Sequence, residues 1–172
     1  MPLQRSLVSV TGCCVAGTFL LLSCSRSPQA KEAAFLSRGT ALLAAKRYAR
    51  AAIEYRNAIQ AMPADAEPYY QLGIAYLQAG DVFNATRAFH KATELNPNHA
   101  AAQKKLAELL NLTQQNDLLA DAASRLKRVL QDSPDDEEAT DALAITELQT
   151  GNTNAAIRRL QDSVEMFAAP LI

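Results

Sequence analysis

The stretch Tyr69-Tyr70-Gln71-Leu72-Gly73-Ile74-Ala75-Tyr76-Leu77-Gln78-Ala79-Gly80-Asp81, followed by Ala85, Phe89, Ala92 and Pro97, decides the fold. Tyr69, Leu72, Gly73 and Tyr76 fall at helical spacing, so large side chains and one glycine share a face. Gly80-Asp81 fits a chain-reversing turn, and Ala85, Phe89 and Ala92 mark the matching face of a second helix. Pro97 closes that helix because proline cannot continue one. The same pattern lies earlier in the chain as Phe35, Gly39, Leu42, Ala51, Tyr55, Ala58 and Pro63. The differences 97 − 63, 89 − 55, 85 − 51 and 73 − 39 all equal 34. Small residues then sit where paired helices approach closely, and large ones fill the space between them. A lone pair of helices leaves an apolar face open, so neighbouring units must stack to make a core.

Composition agrees. Hydrophobic residues make up 49% of the 172-residue chain and aromatics 6%, with no Trp. Much of the apolar fraction is Ala, interleaved with Leu, Glu, Lys and Gln, all strong helix formers. The spacing and the 34-residue period resemble the tetratricopeptide (TPR) repeat. That resemblance implies an all-α, right-handed α-solenoid of about four helix–turn–helix units, near 32–65, 66–99, 100–136 and 137–170.

The later units match less tightly. Leu106-Ala107 and Leu110 take the places of Leu72-Gly73 and Tyr76, and Ala122, Leu126, Val129 and Pro134 continue the third unit. Its closing proline lies 134 − 97 = 37 residues on, so three extra residues are expected near Asn111 to Asp117, as a longer first helix or a longer loop. The fourth unit shows Leu143-Ala144, Gly151, Ala156 and Leu160 without an aromatic pair, and Asn152 and Asn154 beside Gly151 fit a turn. The apolar end, Met166 to Ile172, lacks a polar closing helix, so either it packs back on the last unit or the chain is a piece of a longer array, the second being the preferred reading.

The N-terminal segment has another character. Arg5 precedes an uncharged stretch from Leu7 to Leu22, too short for the roughly 20 residues that span a bilayer. Basic start, apolar run and small Ser23 make residues 1–23 an export signal. Cys13, Cys14 and Cys24 are the only cysteines, all in or beside this segment, which argues against a disulfide framework or a zinc site. Leu21-Leu22-Ser23-Cys24 resembles the lipobox of bacterial lipoproteins. The resemblance implies that Cys24 is lipidated, that residues 24–29 form a tether ahead of the solenoid (30–172), and that Ser25 is compatible with an outer-membrane address facing the periplasm. Two or three acyl chains at about 0.8 kcal/mol per buried CH₂ hold a protein durably on a membrane.

TPR proteins bind peptides or helices along the groove lined by the first helix of each unit. Carried over by register, that groove holds Leu36, Thr40 and Leu43, then Tyr70, Gln71, Ile74, Leu77 and Gln78. The third unit adds Lys104, Lys105, Glu108 and Asn111, and the fourth Asp141, Ile145 and Leu148. The Lys-and-Asn clamp of TPR cochaperones for chaperone tails is not matched, because Leu36, Thr40 and Gln71 stand at its first positions. The acidic run Asp135-Asp136-Glu137-Glu138 reads as residues favoured at a helix N-terminus, not as a cation site.

Other function classes find no support. Seventeen Lys+Arg against 18 Asp+Glu, net −1, lacks the basic excess that phosphates demand, so no nucleic-acid partner is expected. His90 and His99 join no metal-ligand or nucleophile pattern, and no phosphate loop occurs. No catalytic residue, metal, cofactor or small-molecule substrate is expected. The reading is a non-catalytic protein-binding scaffold anchored to the bacterial cell envelope. Tyr48 to Ala58 with the lipobox resembles TPR lipoproteins of exosortase and exopolysaccharide systems; an accessory role in secretion or export, resembling pilotins, is the second reading.

Overall fold

The computed structural model describes residues 27–168. The export signal (1–23) and Cys24 therefore lie outside the described residues. Eight α-helices follow in order: α1 (Pro28–Ala44), α2 (Tyr48–Ala61), α3 (Glu67–Gln78), α4 (Val82–Leu95), α5 (Ala100–Asn111), α6 (Asn116–Asp132), α7 (Glu137–Gln149) and α8 (Thr153–Ala168). Each packs on its chain neighbours, giving four stacked helical pairs and an all-α TPR solenoid. None of these helices is long and apolar enough to cross a membrane. α1 begins at Pro28, two residues before the expected start of the solenoid at residue 30, because Ser27 caps it through a hydrogen bond from the Ala30 N–H at 3.2 Å and proline suits a first turn.

Packing inside the first two pairs follows the residue sizes. Tyr55 and Phe89 are fully buried, as are Ala51, Ala58, Ala85 and Ala92 on the same helices. A methyl group placed on Gly73 would sit 2.5 Å from the Phe89 ring, and one on Gly39 would strike Tyr55. Glycine here lets a ring lie flat against backbone. Burying each ring contributes about 2–3 kcal/mol. In the third pair Leu126, fully buried, replaces the ring and Ala107 the glycine.

The extra residues of the third unit lie at the turn after Asn111 and at the start of α6, chiefly as a longer second helix and not a longer first helix or loop. α5 has 12 residues, as α3 does, whereas α6 has 17 against 14 in α2 and α4. The turn 112–115 is one residue longer than 79–81. Most of the surplus thus extends the second helix, whose buried face Leu119, Ala122, Leu126 and Val129 runs on at helical spacing. Each turn between paired helices carries one left-handed residue: Lys46 (φ 57°), Gly80 (81°), Gln114 (55°) and Gly151 (81°).

Capping and polar contacts set the joints between units. Asp81 caps α4, accepting from Asn84 N–H at 3.1 Å, and Asp136 caps α7, accepting from Ala139 N–H at 2.9 Å. Between units two and three, Arg125 of α6 donates to Gln103 Oε1 of α5 at 2.9 Å and to Thr93 Oγ1 of α4 at 3.4 Å. Gln103, 2% exposed, donates in turn to the Pro97 carbonyl at 2.8 Å. A buried amide is thereby satisfied at both ends.

Candidate functional site

The first helices of the units place their groove residues in rows. Tyr70, Lys104 and Asp141 form one row, Ile74, Glu108 and Ile145 the next, and Leu77, Asn111 and Leu148 the third, by the 34- and 37-residue offsets. Direct contacts tie the helices that carry them. Lys104 reaches Asp136 at 2.9 Å and Glu138 at 2.6 Å, and Lys105 reaches Glu108 at 2.9 Å and Glu138 at 3.3 Å. At the other end of α5, Thr146 Oγ1 donates to Asn111 Oδ1 at 3.0 Å.

Tyr70 stands in the first of these rows. Its ring lies 5.9 Å from Phe89 and 4.9 Å from the His99 imidazole. Burial holds its hydroxyl above the ordinary phenol pKa, with Lys105, Glu67, Glu138 and Lys104 close enough to act on it in opposite directions. The structure places Tyr70, Lys104 and Lys105 near one another, with Glu108 held by Lys105. Ile74 and Leu77 pack with Tyr70 against the main core while remaining partly exposed. Ile145 and Leu148 are 51% and 48% exposed, and Leu112 beyond them 73%.

Other expected groove residues do different work. Leu36 packs into the first core cluster with Tyr55, and Thr40 donates its hydroxyl to the Leu36 carbonyl at 3.0 Å. Gln71 donates to Glu67 at 2.6 Å, and Gln78 is exposed beside the turn. Asn111 is buried and belongs to the α5–α7 joint, not to the groove surface. Against expectation, the lysines are not open to a ligand.

Several residues emerge only from the structure. The acidic run does gather at a helix N-terminus, yet Asp136 and Glu138 also neutralise Lys104 and Lys105 of the preceding unit. For Lys104, burial disfavours its charge, but hydrogen bonds to Asp136 and Glu138 outweigh it and raise the pKa. Lys105 is raised in the same way through Glu108 and Glu138. Burial pushes Asp136 up, while the Lys104 hydrogen bond and Ala139 N–H pull it below its ordinary value. Glu138 is lowered chiefly by its bond to Lys104. His99 caps α5 through Nδ1, which accepts from Ala102 N–H at 3.3 Å, while Nε2 lies 3.1 Å from Glu67. The neutral tautomer with its proton on Nε2 satisfies both contacts.

A second concavity of about 530 Å³ lies on another side of α3, lined by Tyr69, Leu72, Tyr76 and the α4 residues Arg87 and Lys91. It holds no groove residue. Among the described residues, no group of three or more His, Cys, Asp or Glu is arranged to hold a metal ion.

Stacked helical pairs with a side-chain-lined face on their first helices define the class: a TPR-type repeat scaffold, a group that is generally non-catalytic. The family model described as the cytochrome c-type biogenesis protein H TPR domain matches residues 25–169. The chain belongs to that family. Over 83 residues it is 35% identical to mouse (Mus musculus) Superkiller complex protein 3, covering 48% of this chain and 5% of that protein. This chain thus spans about 5% of the length of such curated relatives. The structure of MamA 41-end from Desulfovibrio magneticus RS-1 is 25% identical with a TM-score of 0.69, covering 78% of this chain and 75% of that one. The second TPR domain of human RPAP3, solved in complex with an HSP70 peptide, is 21% identical with a TM-score of 0.62, covering 70% and 98%.

Proposed function

We propose that this protein is a non-catalytic scaffold that holds a segment of a partner protein along the face of α3, α5 and α7, at the bacterial cell envelope. One observation carries the groove assignment: exposed Ile145 and Leu148 continue the rows of half-buried Ile74 and Leu77. Apolar side chains gathered on one face mark interaction sites more reliably than scattered ones do. The peptide held by the RPAP3 domain supports this use of the fold. The family description points to assembly of another protein, in that case a c-type cytochrome, as the setting.

Anchoring rests on Leu21-Leu22-Ser23-Cys24, with Cys24 as the lipidated mature N-terminus and the outer membrane as its address. Membership of an export or exopolysaccharide system is the narrower form of the same proposal. A photo-crosslinking residue at Ile145, compared with one at Phe83 (72% exposed, on α4), tests the groove in the native envelope. Capture at 145 and not at 83 is expected; capture at 83 alone removes the groove assignment. Mass spectrometry of the mature N-terminus tests the anchor separately: diacylglycerol on Cys24 is expected, and an unmodified Cys24 sinks it.

A further inference from the structure

Resting on that reading, we propose that the partner segment is cationic and apolar, presenting lysine or arginine beside leucine-like side chains. The charged groups of the groove are not equivalent. Lys104 and Lys105 are 14% and 28% exposed, and their ammonium groups are engaged by Asp136, Glu138 and Glu108. The carboxylates are more open: Glu138 is 52% exposed, Glu67 44% and Glu108 38%. Asp141, exposed in the row of Tyr70 and Lys104, makes no hydrogen bond or ion pair among the described residues.

An ammonium has three protons to give, and Lys104 already meets three carboxylate oxygens. A carboxylate offers about four acceptor sites, so unused capacity on this face is acceptor capacity. Glu67, Glu108, Asp136, Glu138 and Asp141 against Lys104 and Lys105 leave an excess of three negative charges. An incoming carboxylate meets repulsion, whereas an ammonium or guanidinium meets open oxygens. Between them Tyr70, Ile74, Leu77, Ile145 and Leu148 accept apolar side chains. Charge complementarity of this kind selects partners and weakens with salt.

The test uses the full chain and three synthetic peptides read by fluorescence anisotropy. One alternates lysine and leucine with serine spacers, one replaces each lysine by glutamate, and one replaces each leucine by serine. The lysine–leucine peptide should bind at least about ten-fold tighter than either other peptide, and high salt should weaken it. Glu108→Gln with Asp141→Asn should cost about ten-fold, each exposed charge contributing a few-fold. Ile145→Ser with Leu148→Ser should also weaken binding, with helical circular dichroism unchanged in both double variants. Equal or tighter binding of the glutamate peptide overturns the proposal, as does indifference to the Glu108/Asp141 pair. The envelope crosslink separates the two readings. An acidic partner segment captured at position 145 defeats the charge assignment and leaves the groove standing, whereas capture only at position 83 defeats both.

Discussion

The first two helical pairs and the last two share an architecture but not a means of holding it. In the first two, a glycine faces a buried ring, Gly39 against Tyr55 and Gly73 against Phe89. In the last two, Ala107 and Ala144 stand where the glycines were and Leu126 and Leu160 where the rings were, and polar bridges multiply. Arg159 clamps Glu147 with bonds of 2.8 and 3.1 Å, Arg125 joins α4 to α6, and Lys104 and Lys105 bind the start of α7. Among the described residues, the buried side-chain oxygens without a partner, Glu32 Oε1 and Tyr55 Oη, both lie in the first pair. Steric fit fixes a repeat without needing exact polar partners. Where the fit loosens, directional bonds take over the register.

Three measurements sharpen that contrast. The largest effect is expected at Gly73→Ala, which drives a methyl into the Phe89 ring and should destabilise by about 1–3 kcal/mol in urea unfolding. Ala107→Gly, the reciprocal change in the third unit, should cost about 1 kcal/mol or less. Equal costs at the two sites would erase the distinction between the halves.

Next comes the ionic joint. Lys104→Met should lose about 1.5 kcal/mol at neutral pH, the low end of the range for hydrogen bonds to charged groups. Because Asp136 and Glu138 have lowered folded pKa values, their contribution is present above the ordinary carboxylate values of 3.8 and 4.5 and fades as pH falls through the folded ones. Lys104 and Lys105 are raised, so their share persists below 10.5 and fades as pH rises through their folded values. Melting temperature followed across pH should therefore show a shallower acid limb in Lys104→Met than in the parent. Identical limbs would mean that the pair contributes nothing to folding. The smallest effect is a gain: Gln114→Gly relieves a left-handed residue and should add about 0.5–1 kcal/mol by thermal unfolding.

Those same sites mark how far the sequence could be read. Gly80 and Gly151 announced their turns, and the Gly73–Phe89 approach followed from residue size at a fixed period. Lys46 and Gln114 take the same backbone shape with no glycine to signal it, because position in the repeat outweighs their local preference. The extra residues near Asn111 were visible as a count, but their placement in α6 depends on packing between helices distant along the chain. The groove rows rest on register alone; the neutralisation of Lys104 and Lys105 was not legible, since it joins side chains about one full repeat apart. Asp135 to Glu138 read correctly as a helix start and incompletely as a partner.

The fork of Arg125, reaching Gln103 and Thr93 across two neighbouring helices, has one more consequence. It pins the angle at which the third unit meets the second. The cradle's curvature is then settled during folding, so little ordering is left to oppose association. A partner bound as proposed would meet a surface already bent to receive it.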